Sequence, residues 1–158
     1  MAKTSQTSWV MLLLCAAVLL VAQGCGPKRV DDLHFRTLQP ESAFERAVAS
    51  VEHHGRGVYQ SDPQRGVVHS NWIDADFGMG IPPRYLWYRY VVTVVPNRAD
   101  ASADVRLSLQ AVSCGVFDSR APDRMAKECG PPEHIPARVL REFERVKAEL
   151  ERDVFRRE

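Results

Sequence analysis

"RYLWYRYVVTVV", residues Arg84–Val95, decides how the rest of the chain is read. Its apolar residues recur with period two. Leu86, Tyr88, Tyr90, Val92 and Val94 fall on one side, and Tyr85, Trp87, Arg89, Val91, Thr93 and Val95 on the other. Successive side chains point to opposite faces only in an extended chain, so this is a strand with two distinct faces. PNRADAS (96–102) turns it back into ADVRLSLQAVSC (103–114). There Val105, Leu107, Leu109 and Ala111 alternate with Asp104, Arg106, Ser108 and Gln110, which predicts a sheet with one dry and one wetter face.

Upstream, two β-prone runs, Val58–Gln60 and Val67–Ile73, flank Ser61-Asp62-Pro63-Gln64-Arg65-Gly66. Pro63 presets φ for a turn and Gly66 can take φ > 0, so the segment reads as a hairpin. A glycine-rich connection, DADFGMGIPP (74–83), then leads into Arg84. Before the hairpin, PESAFERAVASVEH (Pro40–His53) places Phe44, Ala47, Val48 and Val51 on one helical stripe. Pro40 suits the first turn, Glu41 complements its positive end, and Gly55 can terminate it. A second helix is expected over Pro136–Phe155, with Val139, Leu140, Phe143, Val146, Leu150 and Val154 as its apolar stripe. The 139, 143, 146, 150 spacing also suits a coiled-coil seam, but it is too short to sustain one, and packing on the sheet is expected. The predicted architecture is therefore α+β: a four-stranded antiparallel sheet covered by an N-terminal and a C-terminal helix, in the order α-β-β-β-β-α.

The first residues set the compartment. MAKTSQTS has one cation, Lys3, and no acid, and WVMLLLCAAVLLVA (Trp9–Ala22) is uninterruptedly apolar. A bilayer-spanning helix needs about 20 apolar residues, so the run is short for a span and suits the hydrophobic part of a signal peptide. Val21-Ala22-Gln23-Gly24-Cys25 follows. This resembles the lipobox of bacterial lipoproteins, in which a small residue precedes the cut and a cysteine follows it to carry diacylglycerol; Ala22 and Gln23 are less common there than Leu and Ala or Ser. Cys15 does not match, since bulky Leu14 precedes it. The competing reading is an uncleaved apolar anchor with Cys25 a bystander. The resemblance implies a lipid anchor, palmitate included, at Cys25. With Gly26 and not Asp after it, the resemblance also implies the outer membrane, with the domain facing the periplasm. Several acyl chains together anchor firmly where one holds marginally.

The expected organisation is a signal peptide at 1–24, a lipidated tether at 25–39 and one periplasmic domain at 40–158. As a flexible coil the tether would reach about 20 Å, and fully extended about 50 Å. The chain holds 21 Lys+Arg and 20 Asp+Glu, and removal of 1–24 takes away only Lys3, which leaves the two signs equal. A balanced domain lacks the basic footprint of a nucleic-acid binder.

Two cysteines remain, Cys114 and Cys129. In an oxidising compartment they most simply pair, which would gain on the order of 3 kcal/mol for a loop of about 15 residues. A redox or catalytic cysteine is the alternative, yet there is no CxxC and no Cys–His signature. The intervening Pro122–Glu128 could form a short helical turn. His53, His54, His69 and His134 with Asp74 and Asp76 do not have metal-ligand spacing, and neither HxxxH nor HExxH occurs. DADFGMG opens like a Ca²⁺ loop, but Tyr85 stands where its closing Glu belongs. No metal and no cofactor are expected.

The phrase AVASVEHHGRGVYQSDPQRGVVHSNW, with a helix, a Gly, an Asp-containing hairpin and then Trp72, resembles the helix-grip domains of the barrel-assembly machinery's C-subunit lipoprotein. The phrase spans residues 47–72. The resemblance implies fold class and compartment only, since the paired domains of that subunit are absent.

Two function classes follow. One is an anchored binding or scaffolding domain that meets an envelope protein or cell-wall component through Trp72, Tyr85, Trp87 and Arg89. Large aromatics with an Arg on one strand face make a recognition surface if uncovered, and more core if covered. The other is a cell-envelope hydrolase acting on cell-wall or lipid material. Against it stands the lack of GxSxG, SxxK or a Cys with a partnered His.

Overall fold

The computed structural model describes residues 27–78, 84–115 and 129–155. Cys25, the segment before it and the helical turn expected at Pro122–Glu128 lie outside them. The described chain runs β1 (Lys28–Thr37), α1 (Pro40–His54), β2 (Val58–Asp62), β3 (Val67–Ser70), β4 (Ile73–Gly78), β5 (Arg84–Asn97), β6 (Ser102–Gly115), β7 (Cys129–Gly130) and α2 (Ala137–Phe155).

The four-stranded sheet is thereby corrected. Among the described residues the sheet has seven strands in the order β1-β6-β5-β3-β2, with β4 also on β5 and β7 on β6, and every pairing is antiparallel. The largest difference is β1, which occupies the expected tether. Lys28 pairs with Ala111 and Thr37 with Ala103, with a shift of register between Asp31 and Leu33. Leu33 and Phe35 pack against the core and Thr37 is buried. The extra residue of the bulge hides this alternation from a strict period-two reading.

β5 and β6 form the backbone of the sheet, paired without a break from Arg84↔Gly115 to Asn97↔Ser102. Tyr88, Tyr90, Val92 and Val94 of β5 and Val105, Leu107, Leu109 and Ala111 of β6 are buried beneath the helices. Helix α1 adds Ala43, Ala47 and Val51, and α2 adds Val139, Phe143, Val146, Leu150 and Val154. Leu140, expected on that stripe, is instead exposed. α2 packs on α1 and β1, with no need of a coiled-coil partner. Among the described residues no helix is long and apolar enough to cross a membrane.

Turn chemistry follows the local sequence. In the β2–β3 hairpin Asp62 Oδ1 accepts the backbone N–H groups of Gln64 and Arg65 at 3.0 and 3.1 Å, and Gly66 sits at φ +65. Gly55 closes α1 by donating to the Val51 carbonyl at 2.8 Å, but the left-handed conformations belong to Arg56 and Gly57, at φ 66 and 92. Asn71 holds that corner, its side-chain amide donating to the Arg56 carbonyl at 3.1 Å.

Candidate interaction face

The expected Val67–Ile73 strand breaks at Asn71 and Trp72, and the break builds the site. β3 pairs with β5 as far as His69↔Val91, and β4 resumes at Ile73↔Tyr88. Three residues, 70 to 72, thus oppose two, Arg89 and Tyr90. That is a bulge, and bulges re-aim side chains. The Ser70 hydroxyl accepts the Tyr90 backbone N–H at 2.9 Å, so that donor is satisfied. The ring of Trp72 comes to lie under the Arg89 guanidinium, whose carbon is 4.4 Å from the ring centroid. Arg89 Nε donates to Gln110 Oε1 at 2.9 Å across the β5–β6 ladder. A guanidinium held by an amide oxygen on one side and an aromatic face on the other is a fixed fork.

Further along β5, Trp87 pairs with Asp74 on one side and Val112 on the other. Its indole Nε1 is buried and has no hydrogen-bond partner among the described residues, a cost of about 1–3 kcal/mol for an unsatisfied donor. Tyr85 pairs with Phe77 and with Cys114, the residue bonded to Cys129. This disulfide joins directly opposed residues of β6 and β7, with a Cα–Cα separation of 4.1 Å.

Trp72, Tyr85, Trp87 and Arg89 are all half-buried, so the face is neither an open platform nor plain interior. The wetter face expected on β6 is corrected in part. Ser108 and Gln110 are 7% and 3% exposed, and Val91 and Val112 are also buried, so only Asp104 and Arg106 remain wet. Gln110 is the member of the site that sequence reading passed over. Its place in the alternation was visible, but its partner was not until the β5–β6 register set it opposite Arg89.

On the helix-covered face, burial pushes the phenols of Tyr88 and Tyr90 well above the ordinary tyrosine range. For Tyr88 the hydrogen bond to Glu142 adds to burial, and for Tyr90 the charges of Tyr88 and Glu142 do so. The Tyr90 ring stacks on Phe143 with centroids 6.3 Å apart.

Asp76 lies among side chains outside the description, and the other candidate metal ligands do not converge. His54 Nε2 lies 3.3 Å from Asp153 Oδ2, His69 pairs with Val91 on β5, and His134 lies before α2. No group of three or more His, Cys, Asp or Glu suited to a metal occurs among the described residues. Asp74 belongs to a strand where a loop was expected, paired to Trp87.

No protein-family model matches the chain, and no curated protein does. Among solved structures it is similar to an uncharacterised protein from Bacillus thuringiensis, at 8% identity and TM-score 0.36, covering 80% of this chain and 96% of that one. It is also similar to a DUF4468 family protein from Bacteroides ovatus, at 12% identity and TM-score 0.36, covering 82% and 84%.

Proposed function

We propose that this is an outer-membrane lipoprotein, anchored through acyl chains at Cys25, whose small periplasmic domain acts by binding or scaffolding. The observation that carries the reading is Gly24-Cys25 directly after the apolar run Trp9–Ala22. The Cys114–Cys129 disulfide supports it, because such bonds persist in oxidising compartments. The binding surface is the strand face of Trp72, Tyr85, Trp87 and Arg89, where rings and a fixed guanidinium suit an envelope protein or a cell-wall component. Trp, Tyr and Arg are the residues that most often anchor interfaces.

Replacing Cys25 by Ser should leave an unprocessed precursor that lacks acyl chains. On the domain side, Trp87→Ala should weaken capture of the envelope partner by about 2 kcal/mol or more, against a smaller loss in thermal stability. Normal processing of the Ser variant would refute the anchor. A Trp87→Ala protein that loses about 3–5 kcal/mol, as for a core Trp, would assign the face to the interior.

A further inference from the structure

The two helices pack on one another over one face of the sheet, and they turn opposite charges outward. At about 100° per residue, Glu41, Glu45 and Glu52 of α1 fall within about 40° of arc, opposite the buried row Ala43, Ala47 and Val51. On α2, Arg138, Arg141, Arg145 and Arg152 fall within about 60° of arc, opposite Val139, Phe143, Val146 and Leu150. All seven residues are exposed, and so is an alanine in each row, Ala49 and Ala148.

The rows share one spacing. Glu41, Glu45 and Glu52 stand at i, i+4 and i+11, and so do Arg141, Arg145 and Arg152. Two helices laid parallel, crest to crest, therefore set each acid opposite an arginine, whereas an antiparallel contact matches two at most. The flanks agree with the parallel sense. In it the side of α1 that holds Arg46 and His53 meets the side of α2 that holds Glu144 and Glu151.

Stability alone disfavours the arginine row. α2 has no acid in its first turn, and Arg138 sits there against the positive end of the helix dipole. Facing carboxylates supply the negative charge that this end lacks. Within the molecule Arg145 lies 3.7 Å from Glu142, Arg152 pairs with Glu149, and Glu144 pairs with Lys147 at 2.6 Å. Glu52 Oε2 accepts the Val58 N–H at 2.7 Å. Ion pairs this close to solvent are weak and exchange partners at little cost.

The junction of the helices lets two such contacts form at once. His54 Nε2 lies 3.3 Å from Asp153 Oδ2, with Glu52 two residues before His54 and Arg152 one before Asp153. A two-fold axis through this junction, in the helical layer and midway between the helices, lays α2 of one copy along α1 of the other, and the reverse. We infer that the protein forms a two-fold dimer through its helical layer, in which the Glu41–Glu45–Glu52 row of each copy meets the Arg141–Arg145–Arg152 row of its partner. This goes beyond the reading of the open sheet face and does not depend on acylation of Cys25.

The test is sedimentation velocity of the full-length chain in density-matched detergent, with a thermal melt of every variant. Exposed ion pairs are screened, so the dimer's Kd should rise about tenfold or more between about 50 and 500 mM NaCl. Glu41→Arg with Glu45→Arg makes both rows basic, and Arg141→Glu with Arg145→Glu makes both acidic; in the second, Glu142 keeps its contact with Arg56. Each doubly substituted chain alone should be monomeric. An equal mixture of the two should dimerise, because every altered row then meets its opposite. Glu41→Gln with Glu45→Gln adds no charge and should weaken the dimer by about tenfold, which keeps the test open if a charge-reversed chain melts early. A native chain that stays monomeric at low salt overturns the dimer. A dimer unchanged by these substitutions, or a mixture of folded variants that stays monomeric, overturns the helix pairing.

Discussion

The Tyr88 hydroxyl donates a 2.7 Å hydrogen bond to Glu142 Oε2, fastening the middle of β5 to the early turns of α2. Glu142 also lies 3.6 Å from Arg56 Nε and 3.7 Å from an Arg145 nitrogen, so one carboxylate ties the sheet, the α1 corner and α2 together. Replacing Glu142 by Ala leaves the phenol without its acceptor and should cost about 1–3 kcal/mol in urea unfolding. Glu142→Gln keeps an acceptor and should cost less.

Tyr88 and Tyr90 together set an alkaline limit. Both phenols titrate higher in the folded state than in the unfolded one, where the value is about 10. The folded protein then holds protons that the unfolded chain releases above that pH. Stability is at its full value below about pH 10 and falls as pH rises beyond it. Melting curves taken from pH 8 to 12 should show this fall, and Tyr88→Phe with Tyr90→Phe should flatten it. An unchanged slope in the double variant would assign the alkaline loss to other groups.

Arg89 bridges Gln110 and Trp72. Arg89→Ala should cost about 1–2 kcal/mol, the sum of a net hydrogen bond and a cation–π contact. Arg89→Lys keeps the charge but not the planar fork, and should recover less than half of that loss. A double-mutant cycle of Arg89→Ala with Trp72→Ala should give a coupling of about 0.5–1 kcal/mol.

The Cys114–Cys129 bond closes a loop with a sequence separation of 15. Replacing both cysteines by Ser should lower unfolding stability by on the order of 3 kcal/mol. Reduction of the native protein should lower it by a similar amount. A non-reduced peptide map with both thiols free would remove the bond from the account.

Among the described glycines, Gly66 leaves the least room for a Cβ. Its carbonyl accepts the Val94 N–H at 2.7 Å, its φ is +65, and a Cβ there would meet the Val94 carbonyl oxygen at 2.0 Å. Gly66→Ala should therefore destabilise by roughly 2 kcal/mol or more, beyond the usual strain of a left-handed alanine.

What the sequence makes legible is local alternation and turn chemistry. The helix at Pro40, the Asp62–Gly66 turn and the long strands from Arg84 and to Cys114 carry their signals within a few residues. β1 did not, because its Leu33-x-Phe35-x-Thr37 alternation is interrupted at Asp31–Asp32 and its charges read as solvated tether. The split of β3 from β4 was equally hidden. It depends on Ser70 substituting for a ladder bond to Tyr90, a contact between residues 20 positions apart. The cluster at Arg89 followed from that split, so only its members could be picked out beforehand, not their geometry.

The most direct measurement is the intact mass of the protein extracted from membranes of the cells that make it. An anchored lipoprotein should give a chain that begins at Cys25 and carries a diacylglyceryl thioether and an acylated amine. A chain that retains residues 1–24, or one with an unmodified Cys25, would contradict it.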